Sequence, residues 1–272
     1  PHTMKNLQKV LRDSCVTQCI TTSIRSRRSR KKETARSFLL RQKKFLVLDR
    51  PNPISGAEEG TGIKPGLESF VGLYSIPQRH GMTIGELARL YHDFFGISCE
   101  LEVLPCEGWS REQYYETTEL LWVMPSPNMP SIDTAVVYPG MCLLEGTNLS
   151  EGRGTTRPFE NFGAPFIDAE ALKTALRRMD LPGVLFRPVE FVPTFHKHGG
   201  MRCEGLQMHV TQRHRFLSYR TGLAILWCCK QLWPEQFAWR QTAYEFRADV
   251  PAIDLLTGNT FVRAAIDAGQ AF

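Results

Sequence analysis

The chain has 272 residues, 42% of them hydrophobic, with 21 Gly, 17 Pro and a formal net charge of +5. That length suits one large or two ordinary domains, and the apolar share excludes wholesale disorder. The charge is uneven, since thirteen of the 33 Lys and Arg but only two of the 28 Asp and Glu lie in residues 1–45, so a mildly acidic body follows a strongly basic leader.

The leader is expected to be disordered or foreign to the domain. Its run Ser23-Ile24-Arg25-Ser26-Arg27-Arg28-Ser29-Arg30-Lys31-Lys32 could meet nucleic acid, but no aromatic side chain interleaves it for base stacking. No apolar h-region makes a readable secretion signal, and no run of about 18 apolar residues marks a membrane span.

Phe45-Leu46-Val47-Leu48-Asp49 reads as a strand buried on both faces, stopped by Arg50-Pro51-Asn52-Pro53. Thr83 to Gly96 reads as a helix. Thr83 and Glu86 form a capping box, Leu87, Leu90, Tyr91, Phe94 and Phe95 form an apolar stripe, and Gly96 is the stop. Cys99 to Val103 alternates as a strand, and Ser110 to Gln113 resembles a second capping box. Residues 125–165 are dense in Pro, Gly, Asn and Thr and read as long ordered loops. Asp168 is placed to cap a helix to about Met179. Strands are expected at Val184–Val192 and Leu206–Val210, and a helix at Thr221–Leu232. A domain boundary is expected near 163–167. The eight cysteines include no CxxC pair, so neither a disulfide framework nor a zinc ribbon is expected.

The loop Glu145–Thr155 is the leading candidate for chemistry. It holds two carboxylates, an amide, a guanidinium and three glycines. Glycine lets backbone N–H groups approach a ligand, and Arg153 could clamp a carboxylate or phosphate. Glu145 follows the apolar Met141-Cys142-Leu143-Leu144, and a partly desolvated carboxyl there could act as a general acid. The bland alternative is a structural loop whose backbone amides satisfy Glu145. His80 precedes a helix N-terminus and could serve as a neutral donor or acceptor, or simply bond local backbone. His196 and His198 would share a strand face with Cys203 near, a weak metal signal; Lys197 and His198 as polar cleft residues fit better. The glycines match neither GxGxxG nor GxxxxGK[ST], so no nucleotide is indicated. Trp109 and Trp122 could stack on a sugar, whereas Trp227, Trp233 and Trp239 read as packing.

At these motifs the sequence resembles the bacterial exo-β-N-acetylmuramidases of the NamZ type. The resemblance rests on Leu46 to Pro53, Arg79 to Ala88, Pro125 to Pro130, Leu143 to Thr155, Lys197-His198, Gln207-x-His209-Val210-Thr211 and Ile253 to Gly258. It runs from about residue 45 to 268. It implies an α/β fold, with part of a Rossmann-like catalytic domain over 46–165 and a smaller α+β auxiliary domain over 166–272. The active site would lie in the cleft between the two. It implies removal of N-acetylmuramic acid from non-reducing ends of peptidoglycan fragments, with no cofactor and a periplasmic or secreted setting.

Residue by residue, the resemblance makes Glu145 an acid/base carboxylate and Glu151 the second catalytic candidate, with Asp49 an alternative partner. Asp49, Arg50, Asn52, His80, Asn128, Asn148, Arg153, Lys197 and His198 become substrate-binding candidates, Arg153 toward the lactyl carboxylate. The family pattern starts well before Leu46, with a Pro-Glu-His-Gly segment that residues 1–45 do not resemble. The expectation is therefore a truncated or frame-disrupted member whose activity is open. A non-catalytic cell-wall sugar-binding module is the alternative, and a basic-tailed nucleic-acid binder a distant third.

Overall fold

A computed structural model describes residues 44–270, so the basic leader to residue 43 lies outside the described residues. The fold mixes helices with parallel and antiparallel strands, an α/β composition. Two compact units form, one from residues 44–56 and Gly81–Pro127, the other from Ala57–His80 and residues 128–270. The expected boundary at 163–167 does not separate them. Its first residues belong to a strand, Asn161–Ala164, that hydrogen-bonds with Cys203–Val210 of the same unit.

In the first unit, β1 (Lys44–Leu48) pairs in parallel with β4 (Glu100–Leu104), and helix α1 (Ile84–Arg89) lies between them in sequence. Alternation buries Phe45 and Val47 but leaves Leu46 and Leu48 exposed, so β1 is covered on one face rather than two. The capping box of α1 forms as expected. Glu86 N donates to Thr83 Oγ1 at 3.2 Å, and Thr83 N donates to Glu86 Oε2 at 2.9 Å. A π-helical turn, Leu90–Phe94, continues the helix to Gly96, whose φ of 69° supplies the left-handed stop. At Ser110–Gln113 half of a box forms, with Ser110 N donating to Gln113 Oε1, and only a single 3-10 turn, Tyr115–Thr117, follows.

In the second unit, β2 (Glu58–Glu59) pairs with β3 (Arg79–His80), and β5 (Asn161–Ala164), β7 (Cys203–Val210) and β6 (Val184–Phe191) form an antiparallel sheet. Asp168 caps α3 (Ala169–Arg177) by accepting from Ala171 N, and Leu172 and Leu176 bury its apolar face. Helix α2 (Ile132–Met141), capped by Ser131, occupies part of what read as loop. Pro139 near its end hides the helical pattern, because proline inside a helix normally breaks it.

Helices α2 and α4 (Ser218–Leu232) meet backbone to backbone. A Cβ at Gly222 would lie 2.3 Å from Gly140 O, and one at Gly140 would lie 1.8 Å from Ser218 O. Ser218 Oγ accepts from Gly140 N and donates to Val137 O, each at 2.9 Å. Gly222→Ala is therefore expected to destabilise the protein by about 1–3 kcal/mol through overpacking. The same exchange in an open helix interior stabilises by up to about 1 kcal/mol, so the sign of the shift in urea midpoint tests the contact.

Glu59 ties β2 to the start of α4. Its carboxylate accepts from Ser218 N at 3.1 Å and Tyr219 N at 2.8 Å, where Leu217 provides no side-chain cap. Arg79, buried beside it, donates to Glu59 at 2.6 Å. Helices α5 (Ala252–Thr257) and α6 (Phe261–Asp267) close the unit. All six described cysteines are free, and no described helix is long and apolar enough to cross a membrane.

Candidate functional site

The site in the second unit begins where α2 runs into a 3-10 turn, Cys142–Gly146, that carries Glu145. The turn cannot shift freely. Leu143 and Leu144 are wholly buried, and a Cβ at Gly146 would lie 2.9 Å from Ile253 N of α5. The chain then folds back so that Ser150 and Gly163 exchange backbone hydrogen bonds of 2.8 and 3.0 Å. The loop glycines serve this packing, not a ligand. Gly152 (φ 76°) sits against Asn161 O and Gly154 (φ 80°) against the Phe195 backbone, where any Cβ would collide.

Arg153 is brought back onto both carboxylates of its own loop. Its Nη2 donates to Glu145 Oε1 at 2.5 Å, and its Nε lies 3.1 Å from Glu151 Oε1. The guanidinium rests over the Phe159 ring at 4.9 Å, a stacking that lysine would not reproduce. The guanidinium is thus paired within its own loop, with 18% of the side chain still exposed.

Glu145 keeps 13% of its side chain exposed, and its second oxygen accepts from the Tyr244 hydroxyl at 2.8 Å. Both contacts present donors to it, an arrangement suited to a carboxylate that acts through its charge. Burial, then the Glu145 charge, push the Tyr244 phenol far above its ordinary value, so it stays a donor. The Cys142 thiol is likewise pushed up by burial first and Glu145 second, which keeps it neutral. Although 37% of the Tyr138 residue surface reaches solvent, its phenol is also pushed up, by burial and then by nearby negative charge.

Glu151 has no exposed side-chain surface. His196 Nδ1 lies 3.1 Å from it and Lys197 Nζ 3.0 Å, in addition to Arg153. None of these contacts has regular hydrogen-bond geometry, so charge holds Glu151 more than directed bonding does. Burial alone would raise its carboxyl, but the His196 contact and the Lys197 charge hold it down at about 2. The burial that shields the pair also lowers the Lys197 ammonium, against the pull of Glu151. Sealed from solvent, Glu151 cannot reach a substrate as the sequence reading expected. It is the buried counter-charge of the loop.

The remaining candidates divide by unit. Lys197 donates to Leu144 O at 2.8 Å and Leu149 O at 2.9 Å besides lying 3.0 Å from Glu151. His198 Nε2 lies 2.7 Å from Asn148 O. The Asn148 side chain bonds Gln236 O and Ala238 N, stapling its loop to that segment. These three position the Glu145 turn. His196 and His198 occupy left-handed turn positions, not one strand face, and no group of His, Cys, Asp or Glu among the described residues could hold a metal ion. His80 lies in β3 opposite Glu58, and Asn128 is half-buried at the start of the unit's second segment.

In the first unit, Asp49 caps α1, accepting from Thr83 Oγ1 at 2.9 Å and Gly85 N at 2.7 Å. Asn52 bridges Met82 O and Ile54 N. Both have structural duties there, while Arg50 is exposed. Trp122 packs edge-on against Tyr115, and Arg111 lies over Trp109. In the second unit, Trp227 and Trp239 donate to Gln270 O and Asp267, and Trp233 meets Phe166, consistent with packing. The sequence reading missed Tyr244, which lies 99 residues from Glu145 and has no local pattern to mark it.

Comparison with known proteins bears on these residues. The family model "Exo-beta-N-acetylmuramidase NamZ, N-terminal" matches residues 33–133, and its C-terminal counterpart matches residues 136–272. The first match begins ahead of the expected start near 45, and the second runs past 268. The chain is 46% identical over 228 residues to the peptidoglycan beta-N-acetylmuramidase NamZ of Bacillus subtilis (strain 168), covering 84% of this chain and 53% of that protein. It thus spans about half the length of the curated relative it matches. A crystal structure of a DUF1343 family protein from Bacteroides fragilis superposes with TM-score 0.73 at 33% identity, covering 82% of this chain and 58% of that one. A second DUF1343 protein of the same organism gives 0.63 at 28% identity, covering 84% and 59%.

Proposed function

The chain belongs to the exo-β-N-acetylmuramidase NamZ family, and on that premise we propose that it acts in the hydrolytic removal of β-linked N-acetylmuramic acid from the non-reducing ends of peptidoglycan fragments. The observation that carries the reading is Glu145, partly open to solvent and fixed by Arg153 and Tyr244. A glycosidase needs a carboxylate held in place where positive charge develops on the sugar ring. Glu145 supplies that group, and Glu151, Lys197, Asn148 and His198 hold its turn. The carboxylate stabilises the transition state without moving, because its partners are already bonded before substrate arrives.

The reading is tested by incubating the chain with 4-nitrophenyl β-N-acetylmuramide and with a disaccharide bearing N-acetylmuramic acid at its non-reducing end. Release of nitrophenol and of free N-acetylmuramic acid is expected. Binding of N-acetylmuramic acid in a titration calorimeter without any release would instead make this chain a cell-wall sugar-binding module. Absence of both would sink the proposal.

A further inference from the structure

Helix α2 leads directly into the turn that carries Glu145, and one of its positions breaks the pattern of the rest. From Thr134 to Met141 the helix is buried at every position except Tyr138. Its neighbours Val136, Val137 and Met141 are 2% exposed or less, whereas Tyr138 keeps 37% of its surface open to solvent. An exposed helix position is ordinarily polar, and this one holds an aromatic ring. Burial first of all raises the Tyr138 phenol, so the solvent the ring meets lies in a recess of the protein, not over a convex surface.

The ring contacts fix where that recess lies. Tyr138 packs edge-to-face with Phe159, the ring centres 4.8 Å apart. Phe159 is itself held, being 1% exposed with its backbone N donating to Glu151 O at 2.7 Å. The Arg153 guanidinium sits 4.9 Å from the same Phe159 ring and donates to Glu145 at 2.5 Å. Two ring contacts thus separate Tyr138 from the group that grips the carboxylate. The backbone agrees. Tyr138 precedes Glu145 by seven residues, four helical and three in the tighter turn, which brings both side chains to within about 40° on one side of the same rod.

We propose that Tyr138 is the aromatic platform of the Glu145 site, on which the pyranose ring of N-acetylmuramic acid rests. The proposal builds on the muramidase reading above and gives it a contact with the sugar. In the β-linked form the ring substituents are equatorial, so each face of the pyranose presents axial C–H groups, an apolar surface that a flat aromatic ring covers well. Binding sites join such apolar walls to a few fixed polar groups. Arg153 and Tyr244 hold the carboxylate, Phe159 supports Arg153, and Tyr138 meets the sugar on which the carboxylate acts.

The test is the split between KM and kcat on 4-nitrophenyl β-N-acetylmuramide. Tyr138→Ala should raise KM by about 10–50-fold and leave kcat within about threefold, because the lost contact is made to ground state and transition state alike. Tyr138→Phe keeps the ring and should recover most of the loss. If Tyr138→Ala folds poorly, Tyr138→Leu keeps apolar volume against Phe159 without a flat face, and the same rise in KM is expected. An unchanged KM overturns the assignment. So does a fall in kcat alone, which would mark a displaced Glu145, and so does an equal loss in Tyr138→Phe, which would shift the role to the hydroxyl. In each of these cases the muramidase reading stands.

Binding gives a second readout that needs no turnover. Proton spectra of N-acetylmuramic acid in the presence of the chain should show one set of axial ring protons moved upfield by the aromatic ring current. The shift should persist in Tyr138→Phe and vanish in Tyr138→Ala. A sugar that binds without this shift, or with the same shift in Tyr138→Ala, overturns the platform. Binding with the shift but without cleavage sinks the muramidase reading and keeps the platform. If the wild-type chain neither binds the sugar nor cleaves the aryl glycoside, both fall.

Discussion

Glu145→Gln is expected to lower kcat/KM on an aryl β-N-acetylmuramide by roughly 10²–10³-fold, the size of losing one preorganised electrostatic contact at a reacting centre. The side chain keeps its volume and can still bond Arg153 and Tyr244, which meet the two oxygens at 2.5 and 2.8 Å. What it loses is the charge. Folding should suffer little, because the Glu145 side chain retains contact with solvent and the turn around it is held by Leu143, Leu144 and Lys197. The loss should fall on kcat more than KM, since the developing positive charge exists only in the transition state. Kinetics within about threefold of wild type would remove Glu145 from the mechanism, because no electrostatic role of that size is compatible with so small a change.

Glu151→Gln should instead destabilise the protein by about 3–5 kcal/mol, the usual result of removing one partner from a buried ionic cluster. Arg153 and Lys197 would then face each other's charge across a neutral amide, with burial already working against the Lys197 ammonium. The pH dependence gives an independent check. The Glu151 carboxyl is held down at about 2, below its ordinary 4.5, so its contribution is fully present above about pH 4.5. It is lost as pH falls toward 2. Urea unfolding of the wild-type chain should therefore weaken across that window, and the Gln variant should show a flatter profile there. A variant as stable as wild type at pH 7, with the same acid profile, would show that Glu151 is not the counter-charge of its loop. Because Glu151 stands behind Arg153, the variant should also lose activity through a displaced Glu145, so stability and turnover would fall together. Glu145→Gln separates the two.

Local chemistry was legible in the chain by itself. The Thr83–Glu86 box, the Asp168 cap, the Gly96 stop and the alternation around Glu100–Leu104 appear where the sequence puts them. Each depends on partners within a few residues, so the pattern carries the whole physical cause. The motif Glu145–Thr155 was visible for the same reason, as a dense polar run against an apolar one. Its internal wiring was not. Whether a glycine faces a ligand or another strand depends on what packs against it, and Gly152 and Gly154 turn out to face Asn161 and Phe195. A carboxylate named by sequence is equally undecided between solvent and core, and only the enclosing fold opened Glu145 and sealed Glu151. Tyr244 lay beyond reach altogether, since its meaning comes from a contact 99 residues away. Short-range hydrogen bonding is written in neighbouring letters, whereas burial and long-range charge pairing exist only once the chain has closed on itself.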